Sequence, residues 1–297
     1  MKYKSTKTAY EMALIASILY SVIIYVFMGY SLDMSAHLSQ IEFYEKKSDE
    51  FSIFDYVGRN NIIPYVYNNI SWISPENIIL FSYPLIGFIF SFLIFRRVDF
   101  FIGILILYAN FVVILNTNRQ VLAMAFFMYL TGTAVRKYGA AAFIHLSALF
   151  MPPIYLRLKW FWFAIPIFSI FIIALNFPEH IIYGYNENSS DIQGNYIPSL
   201  IALCMVLYGL NMRAYYIVFL MLVISSAIIC MLLDLLLGFN QYIYLSRVVW
   251  ILIMAAHVIY AIHPKQRISL YQLLIFSVSS IIFGSYHIYH NILIKEI

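Results

Sequence analysis

A chain of 297 residues that is 63% hydrophobic, 19% aromatic and only 11% charged is excluded from the soluble globular class, because its apolar runs of about 15 to 24 residues could not be kept out of water. The formal charge of +4 does not indicate a nucleic-acid partner, since the basic residues fall in short turns between apolar runs and not on one soluble face. Cys204 and Cys230 sit inside apolar runs without metal-ligand spacing and read as packing residues.

The expected class is an all-α polytopic membrane protein, with 1–297 forming a single integral membrane domain. Lys2, Lys4 and Lys7 precede an apolar run over 12–28 that no A-x-A cleavage site follows, so the run reads as a retained first helix with a cytoplasmic N-terminus. The predicted spans are 9–28, 77–95, 100–115, 120–135, 160–177, 199–212, 215–237, 248–262 and 269–290. Segment 138–158 is long enough to cross once but has Arg136 and Lys137 before it and Arg157 and Lys159 after it.

Charge decides how that segment runs. If it returns to its own side, Lys2, Lys4, Lys7, Arg96, Arg97, Arg136, Lys137, Arg157, Lys159, Arg213, Lys265 and Arg267 all lie in the cytoplasm, with only Glu11 and Asp99 among the acids. A full crossing would put Arg213, Lys265 and Arg267 outside and bring the acidic 178–198 loop in. The sequence therefore predicts about nine transmembrane helices plus one re-entrant hairpin at 138–158, broken by Pro152 and Pro153.

Two outer, periplasmic loops are long. Loop 29–76 holds Asp33, Asp55 and Arg59 among Tyr, Asn and Ile, and its stretch 51–72 is apolar enough to lie as short helices on the membrane surface or over a cavity. Loop 178–198 carries Glu187 and Asp191 in a Tyr- and Asn-rich setting, a composition that suits sugar binding and is also ordinary for an exposed loop. Arg59, Glu187 and Asp191 are the candidate sugar-contacting charges of the two loops.

Arg119 and Arg247 stand at the mouths of predicted spans on the outer side, against the charge bias. A planar guanidinium that stays protonated suits phosphate or pyrophosphate, and a snorkelling interfacial anchor is the alternative use. His145, with Ser147 two residues on, is either a general base with a helper or a pair that fixes the hairpin tip. Asp234 lies in an apolar run, where it calls for a partner such as Arg247 or Arg119, as an ion pair or to orient the arginine. His257, His287 and His290 read first as helix contacts. No H-E-x-x-H, D-x-D, carboxylate cluster or Cys/His set is present in the sequence, so neither metal nor cofactor is expected.

The run N-T-N-R-Q-V-L-A at 116–123, R-K-Y-G at 136–139, F-I-H-L-S-A-L-F at 143–150 and P-x-Y ending at Tyr155 resembles the EpsG and Wzy type of bacterial polysaccharide repeat-unit polymerase. The resemblance implies a GT-C-like, metal-independent glycosyltransferase of the bacterial inner membrane. Its substrates would be undecaprenyl-pyrophosphate-linked oligosaccharides, polymerised at the periplasmic face into O-antigen, capsule or exopolysaccharide. Arg119 would then contact pyrophosphate with Gln120 beside it, His145 and Ser147 would belong to the floor of the site, and Arg247 would be the second arginine by topology. Donor and acceptor glycans, membrane lipid and a chain-length regulator would be the partners.

Four other functions compete. An O-antigen ligase shares the arginine logic and differs in acceptor, whereas a lipid-linked oligosaccharide flippase would show internal repeats and midplane charges. An acyltransferase would place its histidine towards the cytoplasm. A non-catalytic scaffold leaves the outer arginines without a use.

Overall fold

The structure is a computed structural model that describes residues 7–30, 74–116, 118–130, 196–237, 241–263 and 268–289. Every regular element among them is helical. The helices are α1 (Lys7–Phe27), α2 (Pro75–Phe95), α3 (Phe100–Ala109), α4 (Phe111–Asn116), α5 (Asn118–Tyr129), α6 (Tyr196–Gly209), α7 (Tyr216–Leu237), α8 (Gln241–Ile262) and α9 (Leu270–Ile288). Predicted spans beginning at 9, 77, 100, 120, 199, 215, 248 and 269 each find a helix, with shifted ends. The span at 160–177 and the hairpin at 138–158 lie outside the described residues.

Three stretches are long and apolar enough to cross a membrane: Lys7–Phe27, Arg213–Leu232 and Leu270–Ile288. The apolar helices at 80–95, 100–109, 120–129, 197–209 and 248–262 are shorter. On α7 the outward residues Ile217, Leu220, Ile224, Ile228, Met231 and Leu235 recur at three- and four-residue spacing and are all exposed, Leu235 at 82%. A water-soluble helix turns its polar face outward; a face built this way suits hydrocarbon.

The chain divides into two compact units, Met1–Ala148 with Gly284–Ile297, and Leu149–Phe283. In the first, α1 packs antiparallel to α2. Ile24, fully buried, lies against Gly87, where a Cβ would come within 3.0 Å of its side chain. The Ser21 hydroxyl donates to the Pro84 carbonyl at 2.8 Å, and near the other end the Tyr10 and Phe92 rings meet edge to face at 5.5 Å. The start of α2 is set by Ser74, which accepts from the Asn77 N–H, with a proline in the first turn; both are strong helix-start signals. The outer loop predicted over 29–76 is thus shorter at both ends, since 28–30 form a 3₁₀ turn and α2 begins at Pro75.

The predicted single span over 100–115 is interrupted. Asn110 is fully buried and leaves helical geometry at φ −98° and ψ 5°. Its side-chain amide donates to the Ile106 carbonyl at 2.7 Å, and its own carbonyl accepts from the Ile114 N–H to restart the helix as α4. Asparagine competes locally for backbone groups, which is why it breaks helices that hydropathy alone would draw straight. The loosened turn is held from outside by the Tyr20 hydroxyl, which donates to the Leu107 carbonyl at 3.1 Å.

In the second unit α8 is the core, with every residue from Ile251 to Ala261 buried. Trp250 donates its indole N–H to Ser199 on α6 at 3.1 Å. α6 ends on Asn211, whose φ of 55° lets the Met212 N–H reach the Leu207 carbonyl and the Asn211 N–H reach Tyr208. This pattern closes the orphan carbonyls of the helix end. α9 begins with reciprocal bonds between Ser269 and Gln272, a capping box, and the Gln272 amide donates onward to the Tyr208 carbonyl at 3.3 Å. Gly209 admits the backbone of Phe276, since a Cβ there would sit 2.9 Å from its Cα.

Candidate functional site

The R-Q pair opens α5. Arg119 and Gln120 are its second and third residues, in the turn where backbone N–H groups lack helical partners and the helix dipole favours negative charge. Beyond that turn the helix is deeply packed, with Val121, Ala123, Met124, Ala125, Phe127 and Met128 all buried. The Gln120 side chain is half-buried, and its Oε1 is sealed from solvent with no hydrogen-bond partner among the described residues. A buried carbonyl oxygen left without a donor costs about 1–3 kcal/mol, and any O–H or N–H donor of a bound molecule would satisfy it.

The far end of the same helix is fixed. Arg97, in the turn between α2 and α3, donates from Nη2 to the Met128 carbonyl at 2.6 Å, one of the last carbonyls of α5 that intrahelical bonding leaves open. Burial, and then the charge of neighbouring Arg96, hold the Arg97 guanidinium below its ordinary value. Arg96 turns the other way and lies 5.5 Å from the Tyr10 ring and 5.8 Å from the Phe92 ring. Two adjacent arginines thus engage two different helices, α5 and α1. Charge bias assigns both to a loop but does not distinguish their partners, and no short sequence pattern links Arg97 to a carbonyl 31 residues away.

The other predicted site residues are placed unevenly. Arg247 lies seven residues into α8, because that helix starts at Gln241 and not at the predicted 248; it is inside the helix, about 9 Å of rise from its first residue. Asp234 is in the last turn of α7. Arg119 and Gln120 belong to the first unit, and Arg247 and Asp234 to the second. An ion pair joins Lys7 and Glu11 at 3.9 Å on the exposed side of α1. His145, Ser147, Arg59, Glu187 and Asp191 lie outside the described residues, as does the 178–198 loop up to Tyr196, where α6 begins.

The histidines within helices behave as helix contacts. His257 is fully buried with its ring 5.8 Å from that of Phe276, and His287 is buried beside Tyr286. Cys230 is buried as a packing residue should be, whereas Cys204 is exposed on α6. No group of three or more His, Cys, Asp or Glu able to hold a metal ion occurs among the described residues. No protein family, curated protein or solved structure matches the chain.

Proposed function

We propose that the chain polymerises undecaprenyl-pyrophosphate-linked oligosaccharides at the periplasmic face of a bacterial inner membrane. It would do so with about nine spans, a re-entrant hairpin at 138–158, a GT-C-like arrangement and a cytoplasmic N-terminus. The observation that supports this reading most is the position of the R-Q pair in the first turn of a buried helix. A packed helix holds the backbone that carries a cation and a hydrogen-bonding amide, so that backbone does not have to reorganise when charge develops on a leaving pyrophosphate.

In the proposed reaction the bond between the anomeric carbon and the pyrophosphate oxygen breaks, and pyrophosphate departs with the electron pair towards a guanidinium, for which Arg119 is the candidate in the first unit and Arg247 the candidate in the second. The hydroxyl at the non-reducing end of the second carrier-linked glycan forms the new bond. Its proton passes to His145 or to an outer-loop carboxylate such as Asp33, Asp55, Glu187 or Asp191. Gln120, through Oε1, accepts a hydroxyl of the bound sugar, with Ser147 and Arg59 as further contacts and Asp234 orienting an arginine.

The test is a gel of lipid-linked and surface glycan from cells lacking the gene, carrying either the wild-type chain or Arg119→Ala. A long ladder with the wild type and a single repeat unit with the variant is the expected result. An unchanged ladder in the deletion strain excludes polymerisation there, and loss of even the single surface unit points to the flippase or ligase.

A further inference from the structure

Resting on the polymerase reading of the α5 first turn, we infer that Arg97 is a positioning residue: by holding the Met128 carbonyl it sets where α5 lies along its own axis, and so where Arg119 and Gln120 stand.

Four of the six buried residues of α5 are alanine or methionine, with Val121 and Phe127 as its shaped contacts. Ala123 and Ala125 present smooth surfaces, and Met124 and Met128 are the most adaptable apolar side chains. Side chains of this kind hold a helix against separation better than against axial displacement, which leaves Val121 and Phe127 as the packing that resists sliding. A directional bond at one end supplies what the packing lacks. Arg97 is suited to the task because its own backbone is fixed: its N–H donates to the Ile94 carbonyl at 2.9 Å, and Val98 bonds the same carbonyl at 3.1 Å. On the next turn Asp99 caps α3 by accepting from the Phe101 N–H at 3.0 Å. Arg96, on the preceding residue, is engaged with the Tyr10 and Phe92 rings. The guanidinium therefore projects from a turn braced on both sides.

α5 then acts as a rod about 14 Å long between Met128 and Arg119, and displacement at one end is carried to the other. A shift of about 1 Å in a group that stabilises a transition state is enough to cost up to roughly a hundredfold in rate. Arg97 touches no substrate in this scheme. Its effect is exerted through α5.

The experiment compares amide hydrogen exchange across 118–130 in the full-length wild type, Arg97→Met, Arg97→Gln and Arg97→Lys, in lipid nanodiscs, alongside the glycan ladder of cells carrying each chain. Loss of the latch should speed exchange about tenfold along α5, including the amides of Val121 to Met124 next to the first turn. The ladder should shorten, with Arg97→Lys recovering part of both effects because it retains a cationic donor at the helix end. Arg97→Gln keeps a donor without charge and carries the comparison should Arg97→Met fail to accumulate.

If exchange rises only at Phe126 to Leu130, Arg97 is a local cap and the inference is overturned. It is equally overturned if the first turn loosens while the ladder keeps its wild-type length. A loosened first turn in a protein whose wild type makes no ladder upholds Arg97 as the residue that places α5 and overturns the polymerase reading alone.

Discussion

Gln120 separates two demands on a single side chain. A sealed amide oxygen without a donor among the described residues is a stability cost that a binding role would explain, so the two should come apart on substitution. Gln120→Met keeps the length and removes the oxygen. It is expected to raise the thermal midpoint by a few degrees or leave it unchanged, as removal of an unsatisfied buried polar atom does, while cutting polymer formation at least tenfold, read on the glycan gel beside a thermal scan of the purified protein. A variant that is less stable yet fully active would show that Gln120 is a packing residue. Arg119→Lys makes the matching point for the arginine: an ammonium keeps the charge but loses the paired geometry that a guanidinium offers to phosphate oxygens.

The helix ends carry information that hydropathy does not. Asn211 is the one non-glycine residue with positive φ among those described, and it holds the turn that lets Met212 bond back to Leu207. Glycine adopts this conformation freely and a β-branched residue does not. Asn211→Gly should therefore stay within about 0.5 kcal/mol of the wild type, whereas Asn211→Val should lose about 1–2 kcal/mol, measured by unfolding in a mild detergent. Equal losses would remove the capping role.

At this scale the sequence was partly legible. The S-P-E run at 74–76 and the S-x-x-Q run at 269–272 mark helix starts in plain terms, yet the apolar pattern places the start of α2 at 77, two residues late. An apolar run also hides Asn110, because one polar residue among fifteen apolar ones leaves the run looking continuous although it divides the helix. The start of α8 was missed for the opposite reason, since Gln241, Tyr242 and Tyr244 are not apolar enough to be counted although they extend the helix by two turns. The apolar alanine and methionine positions of α5 were legible as a buried helix, but the bond that fixes its end joins residues far apart in sequence and has no local signature.

For the molecule as a whole, the charge bias and the outward apolar faces of α1, α7 and α9 point to lipid as the surrounding solvent, and the proposed chemistry draws its cations from arginine. Polymer formation in membrane vesicles washed with EDTA should therefore run at the rate of untreated vesicles. A loss that added magnesium restores would mean that the leaving group is neutralised by an ion and not by arginine.

The first compact unit is not continuous in sequence, for it is completed by Gly284–Ile297. There Gly284 lets the helix come so close to Tyr108 that a Cβ would lie 2.6 Å from the ring, and the Tyr108 hydroxyl bonds Ser285 across 177 residues at 2.8 Å. On the ribosome this means that the half made first is finished last: α1 to α5 spend the synthesis of everything between 149 and 283 without their closing segment, so a chain stalled before Gly284 carries an unclosed seam into the bilayer.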